Sequence, residues 1–245
     1  MGSTGVDMVV EVVIVLFVGL FIGSFLNVVI YRVPLGISVI NPRRSFCRGC
    51  GVSLKWYHNI PIVSWVVLRG KSHCCKEAIS VQYPLVEGFS AVIFLSVYFL
   101  EGITIQASVL VTAFTLFFAL SVIDYFHHAI PDSLSLSVLS ISIFYGDIAT
   151  SLQGALLFMG TMSALRFYVS YLLKKEAMGE GDIIIGGAMG AILGVKFAFI
   201  AIFIAACLAL PIALYLRYIK KTDAVLPFVP FLFAGTVAAL LYLRY

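Results

Sequence analysis

Apolar residues run along this chain in long blocks joined by short polar connections. The blocks cover about residues 8–33, 84–101, 105–123, 133–147, 151–173, 183–195, 197–216 and 226–243. Most approach the ~20 residues that a helix needs to cross a bilayer, and 133–147 and 183–195 are the short ones. A single helix over 183–216 would overshoot any bilayer, and Gly194 with Lys196 supplies a break. The pattern predicts an all-α polytopic membrane protein of about eight transmembrane helices. One polar insert, residues 35–83, separates the first two. Its apolar stretch IPIVSWVVL is too short to span. Its length and turn residues predict a small domain of short strands and turns.

Composition places the chain in a bilayer. It is 62% hydrophobic and 11% charged, where a soluble domain is about 25% charged. The mean hydropathy is +1.08. Such a chain has too little polar surface to cover a water-soluble globule.

The net charge of +4 says little as a total, but its placement says more. Arg32, Arg43, Arg44, Arg48, Lys55, Arg69, Lys71 and Lys76 lie in or beside the insert. Lys174 and Lys175 follow the fifth block, and Arg217, Lys220 and Lys221 follow the seventh. The connection near 101–106 has no basic residue. Eight spans put all of these charges on one side, which is then cytoplasmic, with both termini outside. This is a topological signal, and no nucleic-acid partner is expected. Asp7 and Glu11 precede the core of the first block where a signal peptide would be basic, so it reads as a retained helix.

The insert holds four of the five cysteines. Cys47 and Cys50 form a C-x2-C knuckle, whose thiolates can face one ion from a tight turn. Cys75 follows at a ribbon-like interval, but Ser72 stands where a second knuckle would place its first cysteine. His73 and Cys74 are the candidates for a fourth ligand, and adjacent side chains such as those of Cys74 and Cys75 diverge. The readings are a structural zinc held by Cys47, Cys50, Cys75 and Cys74, or four free thiols in a reducing compartment. Cys207, mid-block in an apolar run, is expected to be packed core.

Only twelve acidic residues exist, so their positions matter. Asp124 closes the third block and Asp132 opens the fourth, while Glu176, Glu180 and Asp182 lie between the fifth and sixth. The topology puts all five at the cytoplasmic membrane face. Carboxylates at a membrane edge are costly and point to function. Two that converge can share one proton, one acting as base on a water and the other as acid toward a carbonyl. That chemistry needs no metal. The alternatives are a proton- or ion-coupled carrier, for which Arg166 within the fifth block is the best feature, a non-catalytic scaffold, and simple helix capping. Asp124 resists the capping reading, because a helix C-terminus disfavours negative charge. Were Asp124 and Asp182 the converging pair, the same dipole argument would make Asp182 the base and Asp124 the acid.

The stretches GSFLNVVIYRVP (23–34), the Cys47/Cys50 knuckle, NIPIVSW (59–65), LRGK (68–71), YPLVE (83–87), Asp124 with the following IPD, and GEGD (179–182) occur together and in order. The chain thereby resembles the type IV prepilin peptidases, bifunctional leader peptidases and N-methyltransferases of the GxGD aspartyl protease type, which serve pili and type II secretion. The resemblance implies cleavage of the basic leader of prepilins or pseudopilins after a glycine, at the cytoplasmic side of the bacterial inner membrane. It also implies methylation of the new N-terminus with S-adenosylmethionine. It maps the two catalytic aspartates onto Asp124 and Asp182. Gly179 and Gly181 would make room for a substrate strand, and Glu176, Glu180 and Glu87 would receive leader charges. The implied organisation is a first transmembrane helix in 1–34, a cytoplasmic zinc-ribbon-like loop domain in 35–83 and a membrane-embedded GxGD peptidase core in 84–245. Two positions depart from the family pattern: Ser72, and Ile184 where the family has a lysine.

Overall fold

The computed structural model describes residues 5–42, 44–174, 178–216 and 226–244, and among them every element longer than an isolated bridge is helical. The apolar blocks become α1 (Gly5–Arg32), α3 (Gln82–Glu101), α4 (Ile105–His127), α5 (Asp132–Ser142), α6 (Ile148–Leu173), α7 (Glu180–Leu214) and α8 (Val229–Arg244). The insert supplies only α2 (Val63–Val67) and a 3₁₀ turn at Trp56–Asn59. Among the described residues five helices, α1, α3, α4, α6 and α7, are long and apolar enough to cross a membrane. Many of their large apolar side chains face outward, among them Phe21, Phe99, Leu156 and Phe203, as lipid exposure requires.

Three expectations change. The 133–147 block yields an 11-residue α5, about 16 Å long and far short of the ~30 Å hydrocarbon core. Its apolar run continues, but Phe144 and Tyr145 donate backbone bonds to Ile141 and Ser142, a tightening that ends the helix. Among the described residues, the strands expected in the insert are only two isolated bridges, Phe46 with Ser53 and Lys71 with Ala78. Cys207 is exposed rather than packed. The expected break at Gly194 is present: this residue has φ 71° and ψ 163° inside α7, a conformation open to glycine.

The chain divides into two compact units, Met1–Ala107 and Ser108–Tyr245. The sequence-derived boundary at 83/84 falls inside the first, because α3 packs along α1. Gly19 and Gly23 allow this, since a Cβ there would lie 2.7 Å from Ala91 Cα and 2.6 Å from Glu87 Cα. Tyr98 donates to Glu11 Oε2 at 2.7 Å, satisfying a carboxylate within an apolar helix. At the end of α1, buried Arg32 donates to the carbonyls of Ser38, Val39, Pro42 and Arg44 and so folds the start of the insert around itself.

In the second unit α7 is central, with α5, α6 and α8 packed on it. Its stretch Gly186–Leu193 is buried throughout, and Gly190 meets the backbone of Gly154 on α6. Small residues let the backbones approach where no hydrophobic force drives helices together in lipid.

Candidate active site and cysteine cluster

Asp124 lies in the last turn of α4 and is 7% exposed. A carboxylate there meets the negative end of its own helix. The structure compensates from elsewhere: the backbone N–H of Val229, in the first turn of α8, donates to Asp124 Oδ2 at 3.0 Å. That amide is one of the four that a helix start leaves without an internal partner. Pro230 next to it marks a helix start, so the cue for α8 was local, but its target was not.

Asp182 lies in the first turn of α7 and is 9% exposed. Its Oδ2 accepts from the N–H of Gly179 at 3.1 Å, which closes half of a capping box. Gly179 has no side chain to return the bond. The other oxygen, Oδ1, is buried without a hydrogen-bond partner. Asp182 and Asp124 lie within electrostatic range of each other. Each carboxylate therefore has one oxygen fixed by an amide at a helix N-terminus.

Gly181 is buried, and a Cβ there would lie 2.6 Å from both Cβ and Cγ2 of Ile130. The room expected there for a substrate strand is taken by the connection between α4 and α5. Ile130 was not legible as a site residue. Gly179 is open, a Cβ there meeting only Asp182 Oδ2 at 3.4 Å. Arg166 Nη1 lies 3.3 Å from Glu180 Oε1, so this arginine within α6 has an acidic partner at the start of α7. Glu176 lies outside the described residues. Glu87 belongs to the first unit; it is buried and accepts from the N–H of Ile62 at 2.7 Å.

The first unit gathers the thiols. The sulfurs of Cys47, Cys50, Cys74 and Cys75 all lie within 4.8 Å of one another. Four thiolates around zinc would be about 3.8 Å apart, from Zn–S bonds of about 2.3 Å, so the donor set fits that ion. Two knuckles build the cluster in matching register. Cys47 N–H donates to Val52 and Gly51 N–H to Cys47, while Ser72 N–H donates to Glu77 and Lys76 N–H to Ser72. Ser72 stands in the second knuckle where Cys47 stands in the first. The fourth sulfur comes from Cys74 inside the turn, 3.1 Å from Cys50 Sγ, so adjacent Cys74 and Cys75 do converge. His73 instead stacks on His58, with ring centroids 4.7 Å apart. The backbone N–H of Cys50 pulls the Cys47 thiol down to about 6. The bond to Cys74 pushes Cys50 up to about 12, and the Ser72 hydroxyl lowers Cys74.

Comparison with known proteins decides the family. A family model described as the type IV leader peptidase family matches residues 110–214, and one described as the bacterial peptidase A24 N-terminal domain matches 17–100. A prepilin leader peptidase/N-methyltransferase of Pectobacterium carotovorum is 32% identical over 242 residues, 86% of each chain. The chain belongs to the type IV leader peptidase family. Proteins of the same printed name from Legionella pneumophila (33% over 245 residues, 87% of this chain and 85% of the other) and Neisseria gonorrhoeae (31% over 227 residues, 80% and 78%) are also similar. No solved structure matches. The two family models fall one in each unit. Asp124 and Asp182 lie in the part matched by the leader peptidase model, and the four cysteines lie in the N-terminal part.

Proposed function

We propose that this chain removes the leader of type IV prepilins or pseudopilins with Asp124 and Asp182, and N-methylates the new terminus with S-adenosylmethionine. The observation that carries the peptidase half is the pair of buried carboxylates in the second unit, in electrostatic range and each tethered by a helix N-terminal amide. Sequence alone made Asp182 the base through its helix dipole. The amide of Val229 gives Asp124 the same kind of support, so that asymmetry is reduced and the dyad is best treated as a unit holding one proton.

In the reaction the protonated carboxyl donates a hydrogen bond to the scissile carbonyl. The ionised one takes a proton from water as its oxygen adds to the carbonyl carbon. The tetrahedral intermediate then breaks its C–N bond, and the leaving amine takes a proton from the dyad. The buried Oδ1 of Asp182 has no hydrogen-bond partner, which supports reading it as the oxygen that accepts from water. Gly179, with its open surroundings, would admit the substrate backbone, and Glu180 and Glu176 would receive the basic leader.

Topologically, the reading is eight spans in the bacterial inner membrane, the dyad at the cytoplasmic face and both termini outside. The α7 break at Gly194 supports counting that helix twice. The division into a first helix (1–34), a cysteine loop domain (35–83) and a peptidase core (84–245) is part of this reading. Cys47, Cys50, Cys74 and Cys75 would hold a structural zinc that ties the two knuckles together. S-adenosylmethionine, when bound, supplies an electrophilic methyl group to the new amino terminus.

Purified protein incubated with a short-leader prepilin and S-adenosylmethionine tests the whole reading. Mass spectrometry should find the leader lost and one methyl gained. An unchanged prepilin would overturn it.

A further inference from the structure

The apolar stretch of the insert is too short to span, yet it is tied to the sides of α1 and α3. Ser24 Oγ donates to the carbonyl of Asn59 at 3.3 Å, and the N–H of Ile62 donates to Glu87 Oε2 at 2.7 Å. Ser24 lies two turns before Arg32, the end of α1, or about 12 Å back along the helix. The outward apolar residues of α1 run from Val6 through Phe17 and Phe21 to Phe25, and those of α3 begin at Leu85. Val6 to Phe25 is about 30 Å of helix, the thickness of a hydrocarbon core. Both tethers therefore lie at the insert end of the outward apolar surface, not beyond it.

Held there, α2 has two unlike faces. Trp65 Nε1 donates to the carbonyl of Ile79 at 3.1 Å and Ser64 Oγ to that of Ile60 at 2.8 Å, so this side is turned to the protein. Val63, Val66 and Val67, spaced i, i+3 and i+4, form the other stripe and are 55%, 60% and 73% exposed. Trp56, in the preceding 3₁₀ turn, is 80% exposed. A helix this short does not hold itself in water, and an uncovered apolar stripe on it marks an interaction surface.

The backbone suits a medium poor in water. Besides the two tethers, the N–H groups of Ser64, Val66, Leu68, Arg69 and Gly70 all have backbone acceptors. Irregular backbone at membrane depth needs such partners.

Charge selects the surface. Residues 35–83 hold seven basic side chains and one acidic, Glu77, so the matching partner is anionic. Lys55 precedes Trp56, Arg69 and Lys71 follow α2, and all three are exposed. Tryptophan and basic residues beside a short apolar stripe suit the interface of an anionic leaflet. A protein partner would have to bring an apolar face and acidic groups to this same depth, where the bilayer already offers both.

We infer that residues 55–71 are a monotopic membrane anchor. In it α2 lies at the boundary of headgroups and acyl chains, with its valine stripe toward the chains and Lys55, Arg69 and Lys71 on the phosphates of anionic phospholipid. The anchor seats the cysteine knuckles on the bilayer, because Trp65 and Gly70 both hold Ile79 beside the second knuckle. The inference uses α1 and α3 as spans and is independent of the dyad.

Trp56 and Trp65 are the two tryptophans of the chain, so intrinsic fluorescence reads this segment alone. The test uses the full chain in bilayers of phosphatidylcholine and phosphatidylglycerol. Lipids brominated on the upper acyl chain should quench the emission, and aqueous acrylamide should quench it far less than it quenches free tryptophan. Trp56→Phe should lose most of the lipid quenching, since Trp65 faces the protein. Val67→Trp added to that variant should regain it. Brominated phosphatidylglycerol should quench the wild type more than the same fraction of brominated phosphatidylcholine. Lys55→Gln, Arg69→Gln and Lys71→Gln together should remove that preference. Full acrylamide quenching with no effect of brominated lipid would place the segment in water and overturn the inference. Shielding from both quenchers would mean that a second copy or another protein covers the stripe, and would overturn it too. Lipid quenching without a headgroup preference would remove the anionic-lipid assignment.

Discussion

The backbone N–H of Val229 donates to the carboxylate of Asp124 at 3.0 Å across 105 residues of sequence. The contact ties the start of the last helix to a carboxylate at the end of α4. If it holds Asp124 in its working orientation, removing the N–H should matter more than trimming the side chain. Proline is accepted in the first turn of a helix and has no N–H. Val229→Pro should lower leader cleavage about tenfold to a hundredfold, as loss of a hydrogen bond to a charged group of about 1.5–3 kcal/mol implies. Val229→Ala, which keeps the N–H, should retain most of the rate. Steady-state cleavage of a prepilin by the two variants makes the comparison.

Gly181 is the seat of Ile130. Gly181→Ala places a methyl 2.6 Å from Ile130 Cβ and 2.9 Å from its Cδ1. Overpacking of this kind costs about 1–3 kcal/mol. Thermal unfolding should show a lower midpoint for Gly181→Ala. The double variant with Ile130→Ala should lose less than the two single losses combined, because the shorter side chain yields part of the space.

The paired knuckles make a prediction about Ser72. Its hydroxyl lies 3.2 Å from Cys75 Sγ and 3.5 Å from Cys74 Sγ, at the place that Cys47 occupies in the first knuckle. The purified chain should carry about one zinc, as a four-cysteine site predicts. Cys74→Ser should lose most of it, and Cys74→Ser with Ser72→Cys should regain it. Elemental analysis decides. A double variant as empty as Cys74→Ser would contradict the register argument.

Glu180 is 83% exposed and pairs with Arg166, which is 23% exposed. An exposed pair of this kind contributes about 0–1 kcal/mol, so it is weak enough for a basic leader to displace. Glu180→Gln should raise the KM for a basic-leader prepilin several-fold and leave kcat close to wild type. Arg166→Gln should move KM the other way. Equal KM values in all three proteins would remove Glu180 from leader recognition.

The sequence carried most of the fold because lipid demands it: apolar blocks had to become helices, and Gly194 could be seen as the break in an overlong one. It did not carry the length of α5, since Ile143, Phe144 and Tyr145 are apolar whether the backbone continues or turns. The carboxylates at 124 and 182 stood out because charge is costly where they lie. Their supports did not, because the amide of Val229 looks like any other amide until α8 is placed. Cys74 was undervalued on a rule about neighbouring side chains that a tight turn defeats. Gly181 was legible as a point of close approach, but not for what approaches it.

Leader cleavage by Asp124→Asn, Asp182→Asn and the double variant tests the central claim most directly. A dyad that works as one unit predicts that each single change lowers the rate at least about a hundredfold and that the double change lowers it little further. Either single variant cleaving prepilin at the wild-type rate would contradict it.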